Sequence, residues 1–260
     1  MISVLTWGVA GSVVDGGRGG QMSIGKSRGG AVDLGSLALA NRLVGNAFSA
    51  GAFESSGGLT LEFAESVAVA ITGAIAQVTV SAGPAIGWGS VAALPGGCTV
   101  RIGRLVDGAR VYLAVRGGVE VSASDQLGIG TATVAQPLTE AVPRPSPLTT
   151  IGVWPGPRRD WFEEQAWTAL CSFAFVVSAT SRVGARLTGP RLGRARSGEL
   201  PSEGLVEGAV QVPPDGQPIV MLADHPTTGG YPVIAVVDPA DVGRIAQAAV
   251  GGELRFSARS

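Results

Sequence analysis

The residues with the widest chemical repertoire are few and scattered. Gly20-Gln21-Met22-Ser23-Ile24-Gly25-Lys26-Ser27 satisfies GxxxxGK[ST], the pattern of a loop whose backbone N–H groups cradle phosphates. A working loop of that kind follows a buried strand and opens a helix. Here Gly16-Gly17-Arg18-Gly19 precede the match and Arg28-Gly29-Gly30 follow it, so it reads as chance in a chain with 40 glycines. His225 is the only histidine, which excludes a multi-histidine metal site. Adjacent strand residues point to opposite faces, so Asp224 is badly placed to orient it, and His225 reads as structural. Cys98 and Cys171 are far apart with no CxxC or Cys/His cluster, so neither a zinc site nor a disulfide is expected, and both read as buried apolar residues. No metal site is predicted. Acid–base chemistry then falls to carboxylates, arginines or a partner chain.

Composition narrows the classes that these residues can serve. Of 260 residues, 45% are hydrophobic and 15% charged, with a formal net charge of -1, which excludes a disordered tail. Lys26 is the only lysine among 19 basic residues. The one dense basic stretch, Arg182 to Arg196, is broken by Gly and Pro and lacks aromatics, so no nucleic-acid partner is expected. The most apolar run, Val67 to Ala76, is half the roughly 20 residues that a membrane helix needs. Met1-Ile2-Ser3-Val4-Leu5-Thr6-Trp7 has no basic n-region, so no signal peptide is read and the expected location is cytoplasmic.

Short apolar runs between Gly and Pro breaks predict a mainly β protein: Leu59–Phe63, Val67–Ile71, Gln77–Val80, Thr99–Ile102, Val111–Val115, Phe173–Val177, Val206–Val212, Ile219–Leu222, Val233–Val237 and Leu254–Phe256. Three helices are predicted. Asp33 caps one with Leu34, Leu37, Ala38 and Asn41 on a face, ending at Gly45-Asn46. A second runs from Arg158 to Cys171. A third starts at Asp238-Pro239 and carries the stripe Val242, Ile245, Ala246 and Ala249. Prolines cluster over Gln136 to Pro157, a connector that places a domain boundary near 142, with units at 1–141 and 142–260.

Several runs together resemble one family. Val14-Asp15-Gly16-Gly17-Arg18-Gly19, Gly29-Gly30-Ala31-Val32-Asp33, Ala40-Asn41-Arg42-Leu43-Val44-Gly45-Asn46, Phe53-Glu54 and Tyr112-Leu113-Ala114-Val115-Arg116-Gly117-Gly118 resemble the first half of the allophanate hydrolase subunit 2, or KipA, family. In the second half Pro155-Gly156-Pro157, Ser181 to Pro190, Ser202-Glu203-Gly204, Gln211, Pro213 to Pro218 and Thr227-Thr228-Gly229-Gly230-Tyr231-Pro232 follow the family pattern. The resemblance implies two tandem cyclophilin-like β-barrels with a few short helices. It implies a subunit of an ATP-dependent amide or lactam hydrolase, first among them the C component of 5-oxoprolinase, working with a KipI-like subunit and possibly a lamB/YcsF-type subunit. ATP would be bound by the complex, not necessarily by this chain. Two other roles in the family are carboxyl transfer to urea, allophanate or another amide, and non-catalytic sequestration of a KipI-like kinase inhibitor.

Carried over by the resemblance, the catalytic candidates are Asp15, Arg18, Arg186, Gln211 and Tyr231. The binding candidates are Asn41, Arg42, Glu54, Asp215, Gln217, Thr227 and Thr228. Arg18, Arg42 and Arg186 suit phosphate or carboxylate, since a guanidinium offers paired donors to either. The chain departs from the family at Val14-Asp15-Gly16-Gly17-Arg18, where Gln-Asp-Leu-Gly-Arg is usual. It departs again at Gly29-Gly30-Ala31-Val32-Asp33, at Ser181 to Leu187, and in a shortened Ser122–Ala135 segment.

Overall fold

The computed structural model describes residues 1–120, 126–137, 141–143, 150–198 and 200–259. Pro145 and Pro147 of the predicted connector, and residues 122–125 of the shortened segment, lie outside them. The chain divides into two compact units, Met1–Gly17 with Asp33–Ser146, and Arg18–Val32 with Pro147–Ser260.

The first unit contains β1 (Ile2–Thr6), β2 (Ser12–Val14), α1 (Leu34–Leu43), β3 (Ala52–Ser55), β4 (Leu59–Phe63), β5 (Val67–Val80), β6 (Val91–Leu94), β7 (Cys98–Val115) and β8 (Gln126–Leu127). They form one eight-stranded sheet in the order β2-β3-β7-β4-β1-β8, with β5 on β7 and β6 on β5, curled as a half-barrel. The runs Val67–Ile71 and Gln77–Val80 are one strand, and so are Thr99–Ile102 and Val111–Val115, because β5 and β7 pair through bulges that carry the ladder across the intervening residues. Alternation puts Leu59, Leu61 and Phe63 into a core with Ile2, Phe53, Val100, Ile102 and Leu113.

The other face of this sheet carries a polar row among buried alanines. Ser12, Glu54, Tyr112 and Thr72 pair in one row across β2, β3, β7 and β5, and α1 covers it. Asp33 caps the helix, accepting from the Ser36 N–H (3.0 Å) and hydroxyl (2.6 Å). The Asp33 N–H donates to the Tyr112 hydroxyl (2.9 Å), which donates to Glu54 Oε2 (2.7 Å). Thr72 donates to the Ser36 carbonyl (2.6 Å). Leu34 stays exposed, so the helix packs through Leu37, Ala40, Asn41 and Leu43. At its end Gly45 takes φ 76°, as the predicted stop requires.

The second unit contains β9 (Thr150–Pro155), α2 (Glu164–Ser172), β10 (Ala174–Thr180), β11 (Gly184–Thr188), β12 (Glu203–Gly204), β13 (Ala209–Gln211), β14 (Ile219–Met221), β15 (Thr228–Gly229), β16 (Val233–Val237), α3 (Val242–Ala246) and β17 (Glu253–Ala258). Seven strands close into a barrel in the order β10-β11-β14-β13-β16-β9-β17, and β12 and β15 form a separate ribbon. Ile151, Phe175, Leu187, Val210, Val220, Ile234 and Phe256 fill the barrel, with Val32 joining them from the early segment. That segment is strapped to the barrel end: the Gly29 N–H donates to Ala223 O (3.0 Å), and Arg28 forks onto Glu207 (2.7 and 2.8 Å). Arg182 holds Asp224 (2.7 Å) and Gly30 O (2.5 Å).

The predicted 158–171 helix is interrupted. A 3-10 turn over Arg159–Trp161 precedes α2, because Phe162 is extended, buried and bridged to Arg194. Likewise α3 starts after Asp241, since Asp238 accepts from the Ala240 N–H in a local turn, and Ala249 is exposed. Met22–Ile24 is a 3-10 turn, β2 ends at Val14 and the next helix starts at Leu34, so the phosphate-loop pattern lacks both flanking elements. Cys98 is buried, Cys171 half-buried, and neither is bonded to the other. No group of metal-ligating side chains occurs among the described residues, and no described helix is long and apolar enough to cross a membrane.

Two outcomes follow for this fold. Lys26→Ala should leave ATP affinity of any assembled complex within about twofold, and a hundredfold loss in a titration would restore the phosphate-loop reading. Tyr112→Phe should cost about 1–3 kcal/mol in denaturant melts, because it removes the buried hydroxyl that accepts from the Asp33 N–H and donates to Glu54. Burial, and then the nearby Glu54 charge, holds the Tyr112 hydroxyl well above its ordinary value of 10.0. A raised folded-state value means that the contribution is complete below pH 10 and is lost as pH rises beyond it. The wild type should therefore lose stability between about pH 10 and 11 more steeply than Tyr112→Phe, and parallel slopes would contradict this.

Candidate functional site

The outward side of the second unit's barrel carries the densest group of predicted residues. Ala185, Val210, Val220 and Ala235 point into the core, so their neighbours point out. Register then aligns Arg186 on β11, Ile219 on β14, Gln211 on β13 and Val233 on β16 in one outward row. The β12/β15 ribbon shields part of this row, and Leu205, Ala209, Met221 and Val233 make a small second core outside the barrel.

Gln211 is therefore only 3% exposed despite facing out. Its Nε2 donates to the Tyr231 carbonyl (2.9 Å), which fixes the orientation of the carboxamide because only the nitrogen can donate. A Cβ on Gly229 would lie 2.7 Å from Gln211 Nε2 and 2.7 Å from Leu205 Cδ1, so a side chain at this ribbon position would have to displace the ends of both. The Leu205 N–H donates to Thr227 O (2.9 Å), and Glu203 and Gly204 pair with Gly229 and Thr228.

Loops complete the site. Arg158 clasps Glu203 with two donors, while its N–H donates to Val233 O (3.1 Å). Arg194 donates through Nη2 to Val212 O, and its Nε is buried without a partner. Burial lowers the Arg194 pKa, and the charges of Tyr231 and Asp215 oppose that shift, which places all three in one electrostatic neighbourhood. Gln217 clips the 189 turn, accepting from the Gly189 N–H (2.8 Å) and donating to its carbonyl (3.3 Å). Asp215 Oδ1 accepts from the Gln217 N–H (3.0 Å).

Of the predicted residues, Gln211, Tyr231, Thr227, Thr228, Asp215 and Gln217 thus gather at this end of the barrel, with Arg186 exposed in the same outward row. Arg18 lies elsewhere in the second unit: its guanidinium flanks Gly29 beside Asp224, which Arg182 holds. Four candidates lie in the first unit. Asp15 is exposed and accepts from the Gly17 N–H (2.8 Å), and Arg42 is exposed on α1. Glu54 is bonded to Tyr112. Asn41 is fully buried, donating to Ala50 O (2.8 Å) and accepting from Asn46 (3.0 Å), which ties the end of α1 to the sheet. His225 is buried, with Nδ1 2.7 Å from Pro226 O.

Sequence reasoning missed Arg158 and Arg194. Arg158 directly follows the family motif Pro155-Gly156-Pro157, and Arg194 belongs to the dense basic stretch, so position relative to motifs was the available signal.

The chain belongs to the carboxyltransferase domain family, subdomains A and B, whose model matches residues 24–128 and 122–258. It is similar to the C component of 5-oxoprolinase from Escherichia coli, at 34% identity over 98% of this chain and 90% of that one. The same component from Haemophilus influenzae is 32% identical over 100% and 92%. Among solved structures, TTHA0988 superposes with a TM-score of 0.88 at 35% identity, over 98% of this chain, which spans 55% of that chain. The K. lactis urea amidolyase superposes with a TM-score of 0.90 at 26% identity, and this chain covers 19% of it.

Gly229→Ala should destabilise the second unit by about 1–3 kcal/mol through overpacking on Gln211 and Leu205. Gly204→Ala on the facing strand meets nothing within 4 Å and should stay within about 0.5 kcal/mol of wild type. Equal effects in denaturant melts would contradict the described seat of the ribbon.

Proposed function

We propose that this chain is a subunit of an ATP-dependent amide hydrolase that opens the lactam of 5-oxoproline to glutamate with ATP and water. The observation that carries the reading is the 34% identity to the C component of 5-oxoprolinase across nearly the whole of both chains. A lactam is a stable amide, and coupling its opening to ATP supplies the driving force. In this reading the nucleotide is bound by the complex formed with a KipI-like subunit, not necessarily by this chain, and the Lys26 loop neither follows a strand nor opens a helix. Arg186, exposed in the outward row, is the group offered to a phosphate or carboxylate there.

Carboxyl transfer to urea or another amide is the second reading, favoured by the TM-score of 0.90 to the K. lactis urea amidolyase. ATP turnover by the chain co-purified with its KipI-like partner, assayed in parallel with 5-oxoproline, urea and allophanate, separates the two. Stimulation by 5-oxoproline alone is expected, with neither activity in the isolated chain. Arg186→Ala should lower turnover at least about 100-fold, or roughly 2.7 kcal/mol, while leaving assembly and melting unchanged. Stimulation by urea without 5-oxoproline would replace the first reading with the second.

A further inference from the structure

The Gln211 carboxamide is nine-tenths buried yet only half used. Its Nε2 is committed to the Tyr231 carbonyl, so Oε1 occupies the other arm, and it accepts no hydrogen bond among the described residues. Oε1 is not one of the enclosed polar atoms that lack a partner, so it stays reachable from outside the fold and can take a donor that arrives there. Two more groups nearby are held in place but incompletely paired. Arg194 is anchored through Nη2 with Nε buried, and Nη1 has no partner among the described residues. The Tyr231 hydroxyl is likewise unbonded among them, on a side chain 44% exposed. Tyr231 links the set, bonding Gln211 through its carbonyl and lying within the electrostatic reach of Arg194.

The three groups differ in what they accept. Oε1 can take only a donor, such as an amide N–H. The Arg194 guanidinium and the Tyr231 hydroxyl together suit a carboxylate. We propose that Gln211, Arg194 and Tyr231 form a subsite for a small amide that also carries a carboxylate, with Gln211 Oε1 accepting the amide N–H and Arg194 with Tyr231 binding the acid. The subsite deepens the lactam-hydrolase reading and rests on it for the choice of a cyclic amide. It also gives Gln211 a role beyond holding the ribbon, and it places Arg194 in the binding machinery.

Binding to the full-length chain, followed by calorimetry or ligand-observed NMR, tests this with four probes. They are 5-oxoproline, N-methyl-5-oxoproline without the N–H, 2-pyrrolidinone without the acid, and allophanate as an open-chain amide acid. Wild type should bind 5-oxoproline about tenfold more tightly than its N-methyl analogue and about 10–100-fold more tightly than 2-pyrrolidinone. Gln211→Leu should erase the first difference and Arg194→Gln the second. The analogue series on wild type gives the answer even where a variant folds poorly. Equal affinity for 5-oxoproline and its N-methyl analogue, or no binding of any probe, overturns the subsite. Binding of allophanate but not 5-oxoproline, with the same dependence on Gln211 and Arg194, upholds the subsite and removes the lactam reading instead.

Discussion

A hydrogen bond from a buried glutamine on the outside of a barrel organises the second unit. Gln211 sits where a strand normally offers its side chain to water, yet the β12/β15 ribbon covers it, and the Tyr231 carbonyl takes its Nε2. Burying a carboxamide is unfavourable unless it is bonded, so the loop that carries Tyr231 must return to β13. Gly229 lies against Gln211 and Leu205, so a side chain there would press on the Gln211 carboxamide. The small second core and the Arg158–Glu203 clasp follow from the ribbon lying there.

The first unit solves a similar problem with a helix. Its polar row is covered by α1, whose N-terminal amides meet Asp33, the Tyr112 hydroxyl and, through Tyr112, Glu54. Every one of these groups is bonded at short range, so the layer reads as a seat for the helix. Glu54, through Tyr112, and Asn41, through Ala50 and Asn46, help hold α1 on the sheet. The row is not fully closed, because the Ser12 Oγ at its β2 end is buried without a hydrogen-bond partner among the described residues.

Much of this was legible in the chain. Short apolar runs between Gly and Pro breaks located β4, β14 and β16, and Asp33 with Gly45 bracketed α1 because capping is decided within a few residues. The interruption before α2 was not legible, since it depends on Phe162 pairing with Arg194 some thirty positions away. Nor was the strapping of the Arg18–Val32 segment to the second barrel, which uses Glu207, Asp224 and Ala223. Of the candidate site, the motif run ending at Tyr231-Pro232 and Gln211 could be found from the resemblance. Arg194 could not, because its importance lies in an anchored guanidinium with spare donors, a property of packing and not of pattern.

The central claim is that Gln211 reads the amide of the substrate while remaining fixed by Tyr231. Side-chain amide NMR of the full-length chain reports on that carboxamide directly. The Gln211 Nε2 protons should exchange slowly in the free protein, as expected of a buried donor bonded to a carbonyl. On addition of 5-oxoproline, their resonances should shift while slow exchange persists. Rapid exchange in the free protein, or resonances unmoved by saturating 5-oxoproline, would contradict the account.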